Sequence, residues 1–212
     1  MVCILRETPS ATPRTVVGVL LAGGQSRRMG GGDKFLKTLA GRPLLDHAIE
    51  RAAPQVAALV INAGGDPGRL ARWNLPVVAD VVAGHAGPLA GVLTGMEWAA
   101  AHVREASWVA TFASDAPFFP TDLVARLAAA VEEHGGDMAC AASGGRSHPV
   151  FGLWPVRLRK ALRSALVEEE VRKVDAWTAR YRLVQVEFPA VPADPFFNIN
   201  RPQDLAIAEA MA

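Results

Sequence analysis

In Val16-Val17-Gly18-Val19-Leu20-Leu21 every position is apolar or glycine, so an extended chain here needs cover on both faces. A parallel strand inside a sheet with helices on each side meets that demand, and few other settings do. The run leads directly into Ala22-Gly23-Gly24-Gln25-Ser26-Arg27-Arg28-Met29-Gly30-Gly31-Gly32-Asp33-Lys34. Glycines allow positive φ and bring backbone N–H groups against phosphate oxygens, while Arg27, Arg28 and Lys34 place charge where an anion would lie. A strand followed by such a loop reads as a polyphosphate site and points to nucleotide handling. The plainer reading is a connection with glycines for the turn and arginines for solubility, but ordinary loops of this kind are shorter and gather neither so many glycines nor so many cations.

Strand and helix patterns then alternate to the end of the chain. Pro43 opens a helix with Leu44, Leu45, Ala48, Ile49 and Ala52 as its apolar stripe. Val56-Ala57-Ala58-Leu59-Val60-Ile61 and the short Leu75-Pro76-Val77-Val78-Ala79 read as strands, and 89–101 as a helix entered at a Gly-Pro turn. Trp108-Val109-Ala110-Thr111-Phe112 is a strand ending at Ser114-Asp115. Pro120-Thr121-Asp122 starts a helix bearing Leu123, Val124, Leu127 and Val131, stopped by Gly135-Gly136. Met138-Ala139-Cys140-Ala141 and Val150-Phe151-Gly152-Leu153-Trp154 are further strands, separated from an edge strand at 182–186 by a helix carrying Leu158, Ala161, Leu162, Ala165 and Leu166. Arg201-Pro202-Gln203-Asp204 opens a last helix. The expectation is a three-layer α/β/α fold with a mostly parallel, Rossmann-like central sheet, organised as a flexible lead over 1–14 and a single domain over 15–212.

The glycine spacing excludes two common phosphate motifs. A Walker A loop needs Lys and a hydroxyl residue after its last glycine, and the dinucleotide pattern needs Gly-x-Gly-x-x-Gly; neither is present. What remains, Leu-Ala-Gly-Gly-x-x-x-Arg-Met-Gly-x-x-Asp-Lys, resembles the signature of the nucleotidyltransferases and, within them, of the bacterial molybdenum cofactor guanylyltransferases. Further matches follow in order: Val60-Ile61-Asn62-Ala63, Val78-Ala79-Asp80, Gly87-Pro88-Leu89-Ala90-Gly91, Ser114-Asp115-Ala116-Pro117, His148-Pro149 and Asn198-Ile199-Asn200-Arg201-Pro202. Each is weak alone; the ordered set spans nearly the whole chain.

The resemblance implies transfer of GMP from GTP to the terminal phosphate of molybdenum-loaded molybdopterin, with loss of pyrophosphate. It places Leu21, Ala22, Gly23 and Gly24 at the base and ribose, with Asn62 and Asp80 in the guanine nucleotide site. Arg28 and Lys34 would bind the triphosphate, and Arg27 would face solvent. Asp115 closes a strand of parallel type, where an open α/β sheet puts its crevice, and a carboxylate there can hold Mg²⁺, a hard cation content with few protein oxygens. Catalysis would rest on Arg28, Lys34 and Asp115, since a phosphate monoester is already an anionic nucleophile. His148, Asn198 and Asn200 are implied on the pterin side, with Asn200 also able to help the metal. Local chemistry offers alternatives: Asp115, Asn62 and Asp80 as turn residues at strand ends, His148 as a surface residue, and Asn200 as a helix cap. His47, His85, His102 and His134 show no ligand spacing.

Gly23 favours the guanylyl branch, because cytidylyl relatives commonly carry alanine there. Alternatives are a CTP-dependent or sugar-phosphate nucleotidyltransferase and a non-catalytic pterin-cofactor carrier. With 212 residues, half hydrophobic, and a net charge of +1, the chain has ample core but no basic face for nucleic acid. Cys3 and Cys140 are too few for a metal cluster or a disulfide framework, and no run approaches the ~18 apolar residues of a membrane span. A cytoplasmic enzyme is expected, without nucleic acid or membrane as partner. Molybdenum-insertion proteins and apo-molybdoenzymes or their chaperones are further candidate partners implied by the resemblance.

Overall fold

A computed structural model describes residues 16–23, 33–82, 84 and 87–211. The lead over 1–14, Gly24, Arg27, Arg28, His85 and Cys3 lie outside them. In chain order the strands are β1 (Val16–Leu21), β2 (Thr38–Leu39), β3 (Arg42–Pro43), β4 (Ala58–Asn62), β5 (Val77–Val78), β6 (Trp108–Ala113), β7 (Met138–Ser143), β8 (Arg146–Pro155) and β9 (Leu183–Phe188). The helices are α1 (Leu44–Ala52), α2 (Pro88–His102), α3 (Leu123–His134), α4 (Arg159–Val167), α5 (Val174–Thr178) and α6 (Pro202–Glu209).

The larger sheet has seven strands in the order β5-β4-β1-β6-β8-β7-β9. β1 pairs in parallel with β4 and β6, β4 with β5, and β7 with β9; β8 alone runs against its neighbours β6 and β7. The sheet is thus mostly parallel, as expected from β1. That strand contributes Val16 and Leu20 to one core with α1 and α3, and Val17 and Val19 to another with α2, α4 and α5. Gly18 is required for packing, because a Cβ there would stand 2.7 Å from Leu59 Cδ1.

α2 is buried around most of its girth rather than on one stripe. It lies close to the sheet because Gly91 and Gly95 face it: a Cβ at Gly91 would stand 2.5 Å from Leu21 Cδ2 and from Asn62 Oδ1, and one at Gly95 would overlap Val19. α6 packs over the two-stranded ribbon of β2 and β3 through Leu39, Leu44, Ile199 and Ala208.

Several boundaries depart from the sequence expectation. β5 shrinks to Val77–Val78 because Pro76 offers no N–H, while β7 and β8 extend until they meet in a hairpin. Asn198 to Asn200 alternates as a strand does but joins no ladder; the Ile199 N–H donates instead to the Asp115 carbonyl at 2.8 Å. The ribbon of β2 and β3 and helix α5 carry too few residues for a periodic signal. Among the described residues no helix is long and apolar enough to cross a membrane.

Candidate active site

The parallel strands end on one edge of the sheet, and there a cavity of about 510 Å³ opens, in the range of small-molecule sites. Its walls come from different parts of the chain. Leu21, Gly23, Asn62, Asp80, Pro88 and Gly91 form one side; Arg146, His148, Val150, Phe151 and Asn198 form another; Lys34, Asp115 and Asn200 also line it.

On the first side, β1 and β4 end together, with the Ala22 N–H donating to the Asn62 carbonyl at 2.9 Å. Ala22 is buried and serves through its backbone, whereas Leu21 and Gly23 reach the cavity. A Cβ at Gly23 would meet nothing within 4 Å, so the space beside it belongs to the cavity. The Asn62 amide donates to Asp80 Oδ1 at 2.9 Å and to the Val78 carbonyl at 3.2 Å, which brings these two residues together. Thr94 steadies the following loop, accepting from the Val81 N–H at 3.1 Å while donating to the Ala90 carbonyl.

At the centre, Ser114 Oγ donates to the Leu21 carbonyl at 3.0 Å and joins the ends of β1 and β6. Asp115 follows. The Lys34 ammonium donates to Asp115 Oδ2 and, at 2.5 Å, to Asn200 Oδ1. Lys34 is 9% exposed, held inside the site rather than loose in solvent. Asp33, just before it, is gripped by Arg69 Nη1 at 2.5 Å to both carboxylate oxygens, while Arg69 Nη2 donates to the Gly64 carbonyl. Sequence reasoning missed this clamp, since nothing near Arg69 marks it. Asn200 does not cap α6 with its side chain; Asp204 closes that end by accepting from the Asn200 and Arg201 N–H groups at 2.8 Å each.

The third group lies where β7 turns into β8. His148 is buried, at 8% exposure, contrary to a surface reading, because the Phe196 ring packs 4.8 Å from its own. Its Nε2 lies 2.7 Å from Ser143 Oγ, which donates to Asp194 Oδ1 at 2.8 Å. Burial chiefly, and the Arg146 charge with it, hold the imidazole below the usual histidine range, against the opposing pull of Asp194 and Glu187. Arg146, a lone cation after Gly144-Gly145, was the one sequence signal that this hairpin offered beyond His148. His47 Nε2 lies 3.0 Å from the Leu39 carbonyl and His102 stacks on Trp98.

A fixed cation between a carboxylate and an amide oxygen can offset charge that develops on a phosphate. The same carboxylate and amide suit a hard metal ion through the lone pairs that Lys34 does not use, and among the described residues no cluster of three or more His, Cys, Asp or Glu offers a fuller cage.

Residues 18–184 match the model of the MobA-like NTP transferase domain family. Over 203 residues the chain is 57% identical to the molybdenum cofactor guanylyltransferase of Bradyrhizobium sp. (strain ORS 278), covering 96% of each chain. It is 53% identical over 204 residues to the molybdenum cofactor guanylyltransferase of Rhodopseudomonas palustris (strain BisB5), covering 96% of this chain and 97% of that one. Its fold resembles the crystal structure of molybdopterin-guanine dinucleotide biosynthesis protein A from Archaeoglobus fulgidus, with a TM-score of 0.72 at 22% identity over 92% of this chain and 97% of that one.

Proposed function

The chain belongs to the family of MobA-like nucleotidyltransferases that includes the molybdenum cofactor guanylyltransferases, and on that premise we propose that it transfers GMP from GTP to molybdenum-loaded molybdopterin. A terminal phosphate oxygen of the pterin attacks the α-phosphorus of GTP. The bond from that phosphorus to the oxygen bridging to the β-phosphate breaks, and pyrophosphate leaves with the electron pair.

The observation that carries this reading is the Lys34 ammonium held by Asp115 and Asn200 where the parallel strands end. There it can follow charge from the α-phosphate to the leaving group without reorganising, the usual source of rate in phosphoryl and nucleotidyl transfer. Asp115, with Asn200 beside it, fits Mg²⁺, which takes few protein oxygens and fills its shell with water and phosphate. When bound, the ion would neutralise triphosphate charge and polarise the α-phosphate. Arg28 is assigned to the triphosphate by its place in the glycine loop.

Leu21, Ala22, Gly23, Gly24, Asn62 and Asp80 are assigned to the nucleotide. A carboxylate such as Asp80 accepts the paired N1–H and N2–H donors of guanine, which cytosine and adenine do not present together. His148 and Asn198 are assigned to the pterin, with Asn200 at the junction. One seven-stranded sheet takes strands from β1 through β9, which supports a single domain over 15–212, and Cys140, a buried free thiol, fits work in the cytoplasm. Molybdenum-insertion proteins would supply the substrate and apo-molybdoenzymes or their chaperones receive the product.

The test is to incubate the protein and Mg²⁺ with molybdenum-loaded molybdopterin and each nucleoside triphosphate in turn, then identify the nucleotide in the product. Guanine dinucleotide with stoichiometric pyrophosphate is expected. A cytosine dinucleotide, or pterin binding without pyrophosphate release, would overturn the reading.

A further inference from the structure

Ser143 carries a single hydroxyl hydrogen, and Asp194 takes it: Ser143 Oγ donates to Asp194 Oδ1 at 2.8 Å, and a carboxylate can only accept. The contact of 2.7 Å between Ser143 Oγ and His148 Nε2 must therefore be filled by a hydrogen on the ring. A neutral imidazole bears one such hydrogen, so the other nitrogen, Nδ1, keeps a lone pair. His148 lines the cavity, and Nδ1 is the ring nitrogen that the contact with Ser143 leaves able to accept a hydrogen bond.

The relay is built more firmly than a surface histidine needs. Ser143 is 2% exposed and sits on the last position of β7; Asp194 also accepts the Phe196 N–H at 2.9 Å, which fixes the turn that lays the Phe196 ring against His148. Burying Ser143 and His148 beside a half-buried carboxylate is unfavourable unless they are hydrogen-bonded, and here the three form one chain. Asp194 and Glu187 favour a charged ring while Arg146 opposes it; burial outweighs them, so the ring stays neutral.

We propose that Ser143 and Asp194 are positioning residues that hold His148 in its Nε2–H tautomer, so that Nδ1 accepts a hydrogen bond from an N–H donor of the second substrate. This rests on the assignment of His148 to the pterin side of the cavity. It makes His148 a reader of a heterocycle's N–H edge and not an anion-binding group, and leaves the phosphate of the acceptor to the cations that line the cavity.

The experiment uses the full-length protein with ¹⁵N-labelled histidine. Long-range proton–nitrogen spectra near neutral pH should show His148 as a single tautomer, with Nε2 protonated and Nδ1 bare; the signal is assigned by its loss in His148→Gln. Asp194→Ala and Ser143→Ala should both give a mixture of tautomers. In both, KM for the molybdopterin substrate should rise roughly tenfold, in line with one hydrogen bond, while KM for GTP stays within about twofold. Should Asp194→Ala melt early because the Phe196 turn loses its acceptor, Ser143→Ala carries the same test without touching that turn. A wild-type Nδ1–H tautomer, an unchanged tautomer in the folded variants, or an equal rise in both KM values would overturn the proposal. If the tautomer behaves as stated but His148→Gln leaves KM for molybdopterin unchanged, then His148 is not at the second substrate, and the proposal falls with that assignment.

Discussion

The two side walls of the cavity hold polar groups over an apolar sheet in different ways. On the β1–β4 side a helix is pressed so close that glycine is obligatory at Gly91, and the polar groups, Asn62 and Asp80, project from the ends of parallel strands. On the β7–β8 side a chain of the buried His148 and Ser143 and the half-buried Asp194 fixes the wall by hydrogen bonding. The first wall is held by shape and the second by polar satisfaction. Between them, the Lys34, Asp115 and Asn200 group belongs to neither, so damage there should strike turnover, while damage to either wall should strike one substrate.

Substitutions at the centre test this division most severely. Asp115→Asn keeps the size but removes the charge that holds both Lys34 and a divalent ion, and turnover should fall by more than about a hundredfold. Thermal melting shows whether the variant is folded, and pyrophosphate release across a Mg²⁺ series shows the loss; normal turnover with an unchanged Mg²⁺ requirement would place the metal elsewhere. Lys34→Ala should cost on the order of a hundredfold in kcat. An effect confined to KM for GTP would move Lys34 out of the centre and onto the nucleotide wall.

Gly91→Ala comes next. A methyl 2.5 Å from Asn62 Oδ1 and Leu21 Cδ2 must displace those side chains or lift α2, at about 1–3 kcal/mol of stability by urea melting. Calorimetry should show weaker GTP binding, with KM for molybdopterin little changed. If both substrates suffer alike, the walls are mechanically coupled and the comparison fails.

The two asparagines near the end of the chain should separate, although their spacing put them together. Asn198→Ala should raise KM for the acceptor several-fold, in keeping with ~1 kcal/mol for one hydrogen bond, whereas Asn200→Ala, by freeing Lys34, should lower kcat. Identical profiles for the two variants would put both on one wall.

The smallest effect is a pH dependence. His148 titrates below the usual range in the folded protein because it is buried, so as pH falls the unfolded chain takes up its proton first, near the ordinary ~6.5. The stability tied to its neutral ring is complete above that value and declines as pH drops toward the folded-state pKa. Urea melts at pH 7.5 and 5.5 should therefore differ less in His148→Gln than in the wild type. An equal difference would mean that the relay lets the buried ring charge freely.

The shape-held wall was largely legible in the sequence, and the other was not. Val16 to Leu21, the glycine loop and the Ser114-Asp115 strand end are local patterns, and their order alone brought out the parallel sheet and the family. The burial of Lys34 depends on partners 81 and 166 positions away, which no local pattern carries. The burial of His148, for which local chemistry left a surface role open, was hidden for the same reason: Phe196 and Asp194, which enclose it, arrive from beyond β9. Asn198 and Asn200 had the right alternation, but a strand also needs a free neighbour to pair with, and Ile199 found a single carbonyl.

β8 runs against both of its neighbours, and the turn before it is made by Gly144 and Gly145 at φ of 55° and 75°. Because the chain doubles back there, the β7–β8 wall can grow, shrink or change side chains as a hairpin does, while the registers of β1 with β4 and β6 stay as they are. On the proposed assignment, the side chains that would meet the acceptor at this wall and those that would meet the nucleotide are thus encoded in separable stretches of the gene. Descent with modification can rewrite the recipient's stretch and inherit the donor's intact.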